Sequence, residues 1–272
     1  MKQQGKLRED INLGQALESI TIIFGEVASI KLRSLRAAVI NNTLFYDDLA
    51  LVFHLIKLEA QKLNKKPVKN GKILSLILTS NYRFYGFLNL AVVNFYLLQN
   101  LKSDAIIIGR TGQQLLPQLS SFIFQNDLPN NLELKQLVTK LIEYEQVIIF
   151  YPRFKSTLMQ EPAIYDLTAQ TNLPIQTNKQ LGYILEPEIE IMLKFFDSQM
   201  IGVLLERVLL ETEISRAASR ILAMDEAQLR AKKFIKEKRK ALNLWHNSQI
   251  NKKVLETFAG YFSFKNSIYD KY

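Results

Sequence analysis

The sequence predicts an α/β domain inserted into a long antiparallel coiled coil. Three observations carry that prediction. A seven-residue repeat runs unbroken near the C-terminus, a second runs near the N-terminus, and between them apolar strand-length runs alternate with helical stretches. The expected division is 1–66 as an N-terminal coiled-coil helix and 67–185 as a central, Rossmann-like α/β domain. A long C-terminal coiled-coil helix follows at 186–262, then a tail, 263–272, with no assigned role.

The C-terminal repeat is the most regular feature. From Phe196 through Met200, Val203, Leu210, Ile214, Ala217, Ile221, Met224, Ala231, Ile235 and Leu242 to Trp245, the row keeps alternating spacings of four and three. Only Arg207, Gln228 and Lys238 in that register are not apolar. No Pro or Gly lies between Gly202 and Gly260, so nothing there obliges a helix to stop. A helix of about 75 residues is on the order of 110 Å long. So narrow an apolar stripe cannot bury itself and needs a second helix.

The same chain supplies one. Lys6 to about Leu63 contains no Pro and has helical periodicity. Leu13, Leu17, Ile20, Phe24 and Val27 read as one row. Ala28, Leu32, Leu35, Val39, Asn42, Tyr46, Leu49, Phe53 and Ile56 continue it after a one-residue shift, which changes the supercoil locally. Gly14 and Gly25 each cost a helix about 1 kcal/mol relative to Ala. Close backbone approach to the partner helix is the expected compensation. Asn42, polar within the row, either fixes helix register or faces solvent.

The middle of the chain changes character at Asn64–Lys72, a basic linker with Pro67 and Gly71. Ile73–Thr79, Asp104–Gly109 and Gln146–Tyr151 are continuous apolar runs of strand length, and Gly182–Leu185 is a shorter fourth. Phe87–Leu101, Gln113–Phe124 (despite Pro117) and Leu132–Tyr144 read as helices. Buried strands alternating with helices imply a mainly parallel sheet.

Composition bounds the chemistry. Of 272 residues 48% are hydrophobic, too many for a disordered chain. There is no Cys, which excludes disulfides and thiolate metal sites, and His54 and His246 are the only histidines. The net charge is +9. Basic residues gather at Lys62–Lys72 and at Lys232–Lys240. These read first as solvated faces, then as a surface for an acidic protein, and least as a nucleic-acid surface, because no nucleic-acid motif accompanies them. Met1–Asp10 is polar, so no signal peptide is expected, and no stretch reads as 18 successive apolar residues. No G-x-G-x-x-G, P-loop or G-x-S-x-G pattern occurs. Gly109-Arg-Thr-Gly112 is expected to be a tight strand–helix turn rather than an anion site, and Glu186 and Glu188 to complement a helix start. No active site is visible in the chain itself.

Several motifs converge on one family. Thr21, Val27, Ala28, Lys31, Leu32 and Arg33 match T-K-A-M-K-M-V-A-A-A-K-L-R, with Gly25 and Glu26 departing. Arg153, Phe154, Ser156, Gln160 and Pro162 match V-x-I-V-Y-N-R-F-x-S-x-x-x-Q-x-P, with Pro152 for Asn. Tyr183-Ile-Leu-Glu-Pro187 matches Y-x-x-E-P. Ser215, Arg220, Ala223, Met224 and Ala227 match S-E-x-x-A-R-M-x-A-M-x-x-A, with Arg216 for Glu. In order and spacing these resemble the gamma subunit of rotary F-type ATPases, the ATP synthases.

The resemblance implies a non-catalytic central rotor. Its coiled coil would turn inside a hexamer of alpha and beta subunits, and its α/β domain would sit on the membrane c-ring or a substitute module, with an epsilon-like subunit as a further partner. ATP, ADP and Mg would be held by partner subunits and no cofactor by this chain. The location implied is the cytoplasmic side of the membrane, peripheral through partners. The residues it implicates in coupling are Lys31, Arg33, Arg220, Met224, His246 and Asn247, and in the bearing Ile250, Val254, Leu255 and Phe258. Two departures stand out. The family loop S-D-x-G-L-x-G-x-L-N appears as Ser80–Asn89 with most glycines lost, so a different backbone course is expected because bulky residues resist positive φ. The family's Arg-Gln pair appears as His246-Asn247, which removes a multi-pronged donor. Besides a synthase rotor, a rotor of a specialised F-type-like motor driving another machine, such as a surface or gliding apparatus in a reduced bacterium, fits the same residues. A non-rotary scaffold or nucleic-acid binder is the remaining class.

Overall fold

A computed structural model describes residues 2–62, 70–170 and 188–269. The elements in order are α1 (Lys2–Lys62), β1 (Ile73–Leu78), α2 (Leu88–Gln99), β2 (Asp104–Ile108), α3 (Arg110–Leu115) and β3 (Ser120–Phe122). They continue with α4 (Asn131–Leu141), β4 (Gln146–Phe154), β5 (Gln160–Asp166), α5 (Leu167–Gln170) and α6 (Ile189–Tyr269). Two compact units result. A paired-helix unit comprises Met1–Gly25 with Met224–Tyr272, and an α/β unit comprises Glu26–Ala223. The strand expected at Gly182–Leu185 and the motif at Tyr183–Pro187 lie outside the described residues.

In the α/β unit the sheet order is β3-β2-β1-β4-β5. The first four strands are parallel, and β5 pairs antiparallel with β4. Both faces are covered, which is why β1, β2 and β4 are continuous apolar runs. On one face Leu74, Leu76, Val147 and Ile149 pack against Leu137 and Leu141 of α4 and Ile201, Leu205 and Val208 of α6. On the other, Ile77, Ile107 and Phe150 pack against Val92 and Val93 of α2. The long C-terminal helix is therefore part of the sheet's own core. On another side α6 meets α1, where Leu210, Ile214 and Ala217 pack against Leu32 and Leu35. A capping box starts α4, with Asn130 accepting from the Leu132 and Glu133 amides and Glu133 accepting from the Asn130 amide.

Two expectations for this unit need correction. The helix expected over Gln113–Phe124 stops at Leu115, before Pro117. Ser120–Phe122 then forms an edge strand beside β2. Proline cannot donate inside the helix, and the residue before it is biased to extended backbone. Strand β5 was not foreseen, because its sequence QEPAIYD is polar and carries Pro162. It lies opposite the C-terminal half of β4, where Pro152 faces Pro162 beyond the part of β4 that β1 covers. An edge position of this kind tolerates proline.

In the paired-helix unit α1 and α6 run antiparallel. Asp10 meets Lys238 at 2.6 Å, and Glu18 meets Lys232 at 3.9 Å. The α6 row is the expected one, with Met224, Ala231 and Ile235 buried. The α1 row differs. Leu13, Leu17, Ile20, Phe24 and Val27 are 43–57% exposed. The inward positions are Leu7, Ile11, Gly14, Glu18, Thr21 and Gly25, which join Ala28, Leu32 and Leu35 at alternating spacings of four and three with no shift. The expected one-residue break is thus absent. Small and polar residues hold the inward row because the helices approach closely there. A β-carbon on Gly14 would lie 2.7 Å from Ile235 Cγ1 and 3.2 Å from Phe234 Cδ1, whereas one on Gly25 would stand 3.7 Å from Met224 Cβ.

The displaced apolar row also corrects the expectation about membrane-length stretches. Within Gln3–Lys57 an 18-residue window reaches a mean hydropathy of 1.3 and is long and apolar enough to cross a membrane by length and composition, with 11% of it buried. Counting uninterrupted apolar residues misses such a window. The exposed apolar residues of a coiled-coil helix, together with the small residues of its inward row, produce the same average.

The two glycines give opposite expectations. Gly14→Ala should lower unfolding stability by about 1–3 kcal/mol through overpacking against Ile235. Gly25→Ala has room and should raise it by about 0.5–1 kcal/mol through helix propensity. Urea unfolding of the two variants checks both; stabilisation by Gly14→Ala would rule out the close approach.

Candidate functional site

In the α/β unit, α6 carries an unusual run of buried polar side chains. Thr212, Glu213, Ser215, Arg216 and Ser219 are all buried. Glu213 is the centre. Its carboxylate accepts from Lys31 of α1 and from Arg216 three residues on. Burial alone would raise its pKa, but the Arg216 and Lys31 cations outweigh that and hold it below the usual carboxylate range. The Arg216 Nε and the Thr212 and Ser215 hydroxyls are buried without a hydrogen-bond partner.

One turn further along, α6 meets the loop between β1 and α2. Ser219 Oγ donates to the Tyr85 carbonyl at 2.7 Å, and the Arg220 guanidinium lies 4.3 Å over the Tyr85 ring. The Tyr85 hydroxyl donates to Asp127 at 2.6 Å. Burial and that carboxylate push the Tyr85 pKa far up, so the phenol stays protonated. The loop is closed at its base by Ser80 and Asn89: the Ser80 amide donates to Asn89 Oδ1 at 3.2 Å and the Asn89 amide donates to Ser80 Oγ at 2.8 Å. Contrary to the expectation that bulky residues resist positive φ, Phe84 adopts φ +71°, and Gly86 adopts +56°. Tyr82, Phe84 and Phe87 are exposed.

Gly109-Arg-Thr-Gly112 behaves as a turn. Its amides are used internally: Arg110 N–H to Asn81 Oδ1, Thr111 N–H to the Ser80 carbonyl, and Gly112 N–H to Thr79 Oγ1. A β-carbon on Gly109 would lie 2.3 Å from the Thr79 carbonyl oxygen, so only glycine fits. Among the described residues no group of three or more His, Cys, Asp or Glu could hold a metal ion.

The residues singled out in the sequence fall into four places. Lys31 and Arg220 belong to the buried junction just described. Met224 is buried in the paired-helix unit opposite Gly25, while Arg33 is exposed on α1. His246 and Asn247 are exposed on α6, and Ile250, Val254, Leu255 and Phe258 are 46–69% exposed beyond them. The structure therefore does not bring these ten side chains into one site. Sequence reasoning missed Glu213, Asp127 and Tyr85. Glu213 sits beside the seam residue Ile214, where a charge ordinarily reads as a solvated face. The one available signal was Arg216, a cation where the family pattern has Glu.

The fold is a long antiparallel helix pair with a mixed sheet inserted between its two helices in sequence. Solved structures bear out the fold. The chain matches a chain in the Euglena gracilis mitochondrial ATP synthase OSCP/F1/c-ring in rotational state 3, with a TM-score of 0.62, 16% identity, and 96% of this chain and 95% of that one covered. A second match is the Tetrahymena thermophila mitochondrial ATP synthase central stalk/c-ring, with a TM-score of 0.56, 20% identity, and 76% and 99% covered. Among relatives, the ATP synthase gamma chain of Hyphomonas neptunium is 29% identical over 215 residues, covering 69% of this chain and 72% of that one. That of Malacoplasma penetrans is 22% identical over 288 residues, covering 96% and 99%. The ATP synthase family model matches residues 4–263. The chain belongs to that family and is a distant member of its gamma-chain kind.

Glu211 of α6 provides a test of the junction's electrostatics. Tyr151 donates to it at 3.3 Å, yet burial outweighs that bond and the nearby Arg207 and Arg153, and its pKa is raised. A carboxyl whose folded pKa exceeds its unfolded value binds its proton more tightly when folded. Its contribution therefore turns against the fold as pH rises from the unfolded value through the folded one. Glu211→Gln keeps an acceptor for Tyr151 and should be more stable than the parent at pH 7, with the difference closing as pH falls through the raised folded pKa to the ordinary carboxylate value of about 4.5. Thermal midpoints across that range check this; a difference independent of pH would contradict it.

Proposed function

We propose that the chain is the non-catalytic central rotor of an ATP synthase, turning inside a ring of alpha and beta subunits. The observation that carries the proposal is the family match across residues 4–263, which takes in both long helices and the inserted sheet together. ATP, ADP and Mg would be bound by those partner subunits. Attachment to the membrane would be peripheral, on the cytoplasmic side, through a c-ring and an epsilon-like subunit. The relatives are named as ATP synthase gamma chains, which favours a synthase rotor over a specialised motor.

The physics of such a rotor is differential binding. One asymmetric chain inside a ring of repeated subunits presents a different face to each neighbour. It can bias each between conformations only by interacting with them unequally. Two kinds of surface suit the task. The exposed apolar rows, Leu13–Val27 on α1 and Ile250–Phe258 on α6, present hydrocarbon side chains without hydrogen-bond donors or acceptors and suit a bearing. The basic residues Lys232, Lys233, Lys236, Arg239 and Lys240 would meet acidic segments of the ring, where geometry and charge set which neighbour is gripped. At His246 and Asn247 the grip would differ from the family's, since a guanidinium offers several fixed donors and an imidazole fewer.

Tagged chain purified from its own cells should bring down alpha- and beta-like ATPase subunits together with ATPase activity. Their absence would overturn the rotor reading, and recovery of salt-sensitive nucleic acid in their place would favour the binder class. Within the assembled complex, His246→Arg with Asn247→Gln should change ATPase turnover about severalfold, the scale of one added charge-assisted bond. Unchanged turnover and torque would remove that level from the coupling.

A further inference from the structure

The seam between α1 and α6 has a property that apolar packing cannot supply. A seven-residue repeat is self-similar: if α1 slides by one heptad along α6, every seam residue still lands on the seam. Gly25, which now faces Met224, would then face Ala231 or Ala217. Gly14 admits Ile235 closely, but Thr21, Gly25 and Ala28 offer few large knobs to lock into holes, so packing along that part of the seam discriminates weakly between registers. A directional contact is needed to choose one register.

Besides the partly exposed Asp10–Lys238 and Glu18–Lys232 pairs of the paired-helix unit, the α/β unit contains two, each with one buried member and both crossing from α1 to α6. Lys31 of α1 donates to Glu213, which Arg216 also holds, and the Glu213 side chain is 1% exposed. Asn42 of α1, also buried, donates to the Glu206 carboxylate at 3.2 Å and lies 3.5 Å from the Val203 carbonyl. The two contacts bracket the apolar block Leu32–Val39. Neither survives a slide, and a slide leaves the buried Glu213 with Arg216 alone, one of its two cations gone, which is unfavourable. Moreover, α6 is tied at the same level to the sheet side, through Glu211 to Tyr151 and through Ser219 and Arg220 to Tyr85. At about 100° per residue, Glu211 and Glu213 point to well-separated azimuths of the helix. The helix is therefore held against rolling as well as sliding.

We propose that the Lys31–Glu213–Arg216 cluster, with Asn42, is a register lock, and that Glu213 is a positioning residue kept for specificity of helix alignment rather than for stability. A buried ion cluster is a poor source of stability, since well-packed apolar replacements are often neutral or stabilising. As a lock it fits a rotor, whose two helices must transmit torque without creeping past one another. That last step rests on the rotor reading; the lock itself does not.

The chain has no native cysteine, so introduced pairs report register directly. Gly25→Cys with Met224→Cys probes the observed alignment, with β-carbons about 3.7 Å apart, near the ideal for a disulfide. Gly25→Cys with Ala231→Cys probes the one-heptad slide. In the otherwise unchanged full chain only the first pair should cross-link. In the background Lys31→Met, Glu213→Met, Arg216→Met, the second pair should cross-link about tenfold more than in the parent, while the thermal midpoint stays equal or rises. Lys31→Glu with Glu213→Lys, which keeps one carboxylate and two cations, should restore the single register. A sole Gly25–Met224 cross-link in the apolar background overturns the lock, and so does a large loss of stability with register kept. If the triple variant does not fold, Lys31→Met alone, which retains the Glu213–Arg216 pair, is read in the same assay with the same outcomes. Failure to recover ATPase subunits would overturn the rotor reading and leave this result untouched, so the two can fail separately.

Discussion

An 81-residue helix cannot bury a narrow apolar stripe by itself, and most of this fold follows from how α6 solves that problem. Along Ile201–Leu209 it becomes a layer of the α/β core, packed on the same sheet face as α4. Along Leu210–Ala217 it meets α1 on another side. Along Met224–Ile235 the α1 contact alone buries it. One helix thus passes from a mostly buried stretch, through a half-buried one, to exposure on all sides from Ile250 to Tyr261. The sequence keeps the same heptad as far as Trp245 while changing what flanks it, from apolar and polar buried residues to alternating charges, and solvent-facing apolar residues follow beyond it.

That change explains which parts were legible. The α6 row was readable because large apolar residues occupy it and charges surround it. Strands β1, β2 and β4 were readable because both sheet faces are covered, which leaves no polar alternation to confuse the pattern. The α1 row was misassigned for the converse reason. Hydrophobicity marks Leu13, Leu17, Ile20, Phe24 and Val27, yet close approach to Ile235 and Phe234 selects glycine, and ion pairing selects Glu18. Where backbones touch, the smallest residue is the most buried, and hydrophobic periodicity points to the neighbouring row. Strand β5 escaped because its pairing depends on β4 extending past β1, a tertiary fact with no local signature.

The candidate site shows the same limit in its charges. Motif matching drew attention to Lys31 and Arg220, but it could not show that both act inside the protein, one on Glu213 and one on Tyr85. A carboxylate next to a seam residue looks solvated until the partner helix and the sheet are both in place. The Tyr85–Asp127 contact likewise joins residues 42 apart in sequence. By contrast, the exposure of His246, Asn247 and the residues up to Phe258 was consistent with the chain pattern, where the regular row lapses after Trp245.

The division of labour between the two kinds of contact is the physical point that joins fold to function. The charged contacts with fully buried members are gathered inside the α/β unit at Glu213 and its neighbours, where burial makes them expensive to break, while Asp10–Lys238 and Glu18–Lys232 of the paired-helix unit are partly exposed. The outward rows Leu13–Val27 and Ile250–Phe258 are apolar and have no preferred angle of approach. A part that must stay aligned internally while its surroundings change needs this arrangement and not the reverse. Directional contacts on the outside would hold a turning element at one angle, and purely apolar contacts on the inside would let its two helices slip. The residues that a rotor requires to be stiff are thus the polar ones it hides, and those it requires to be indifferent to angle are the apolar ones it exposes.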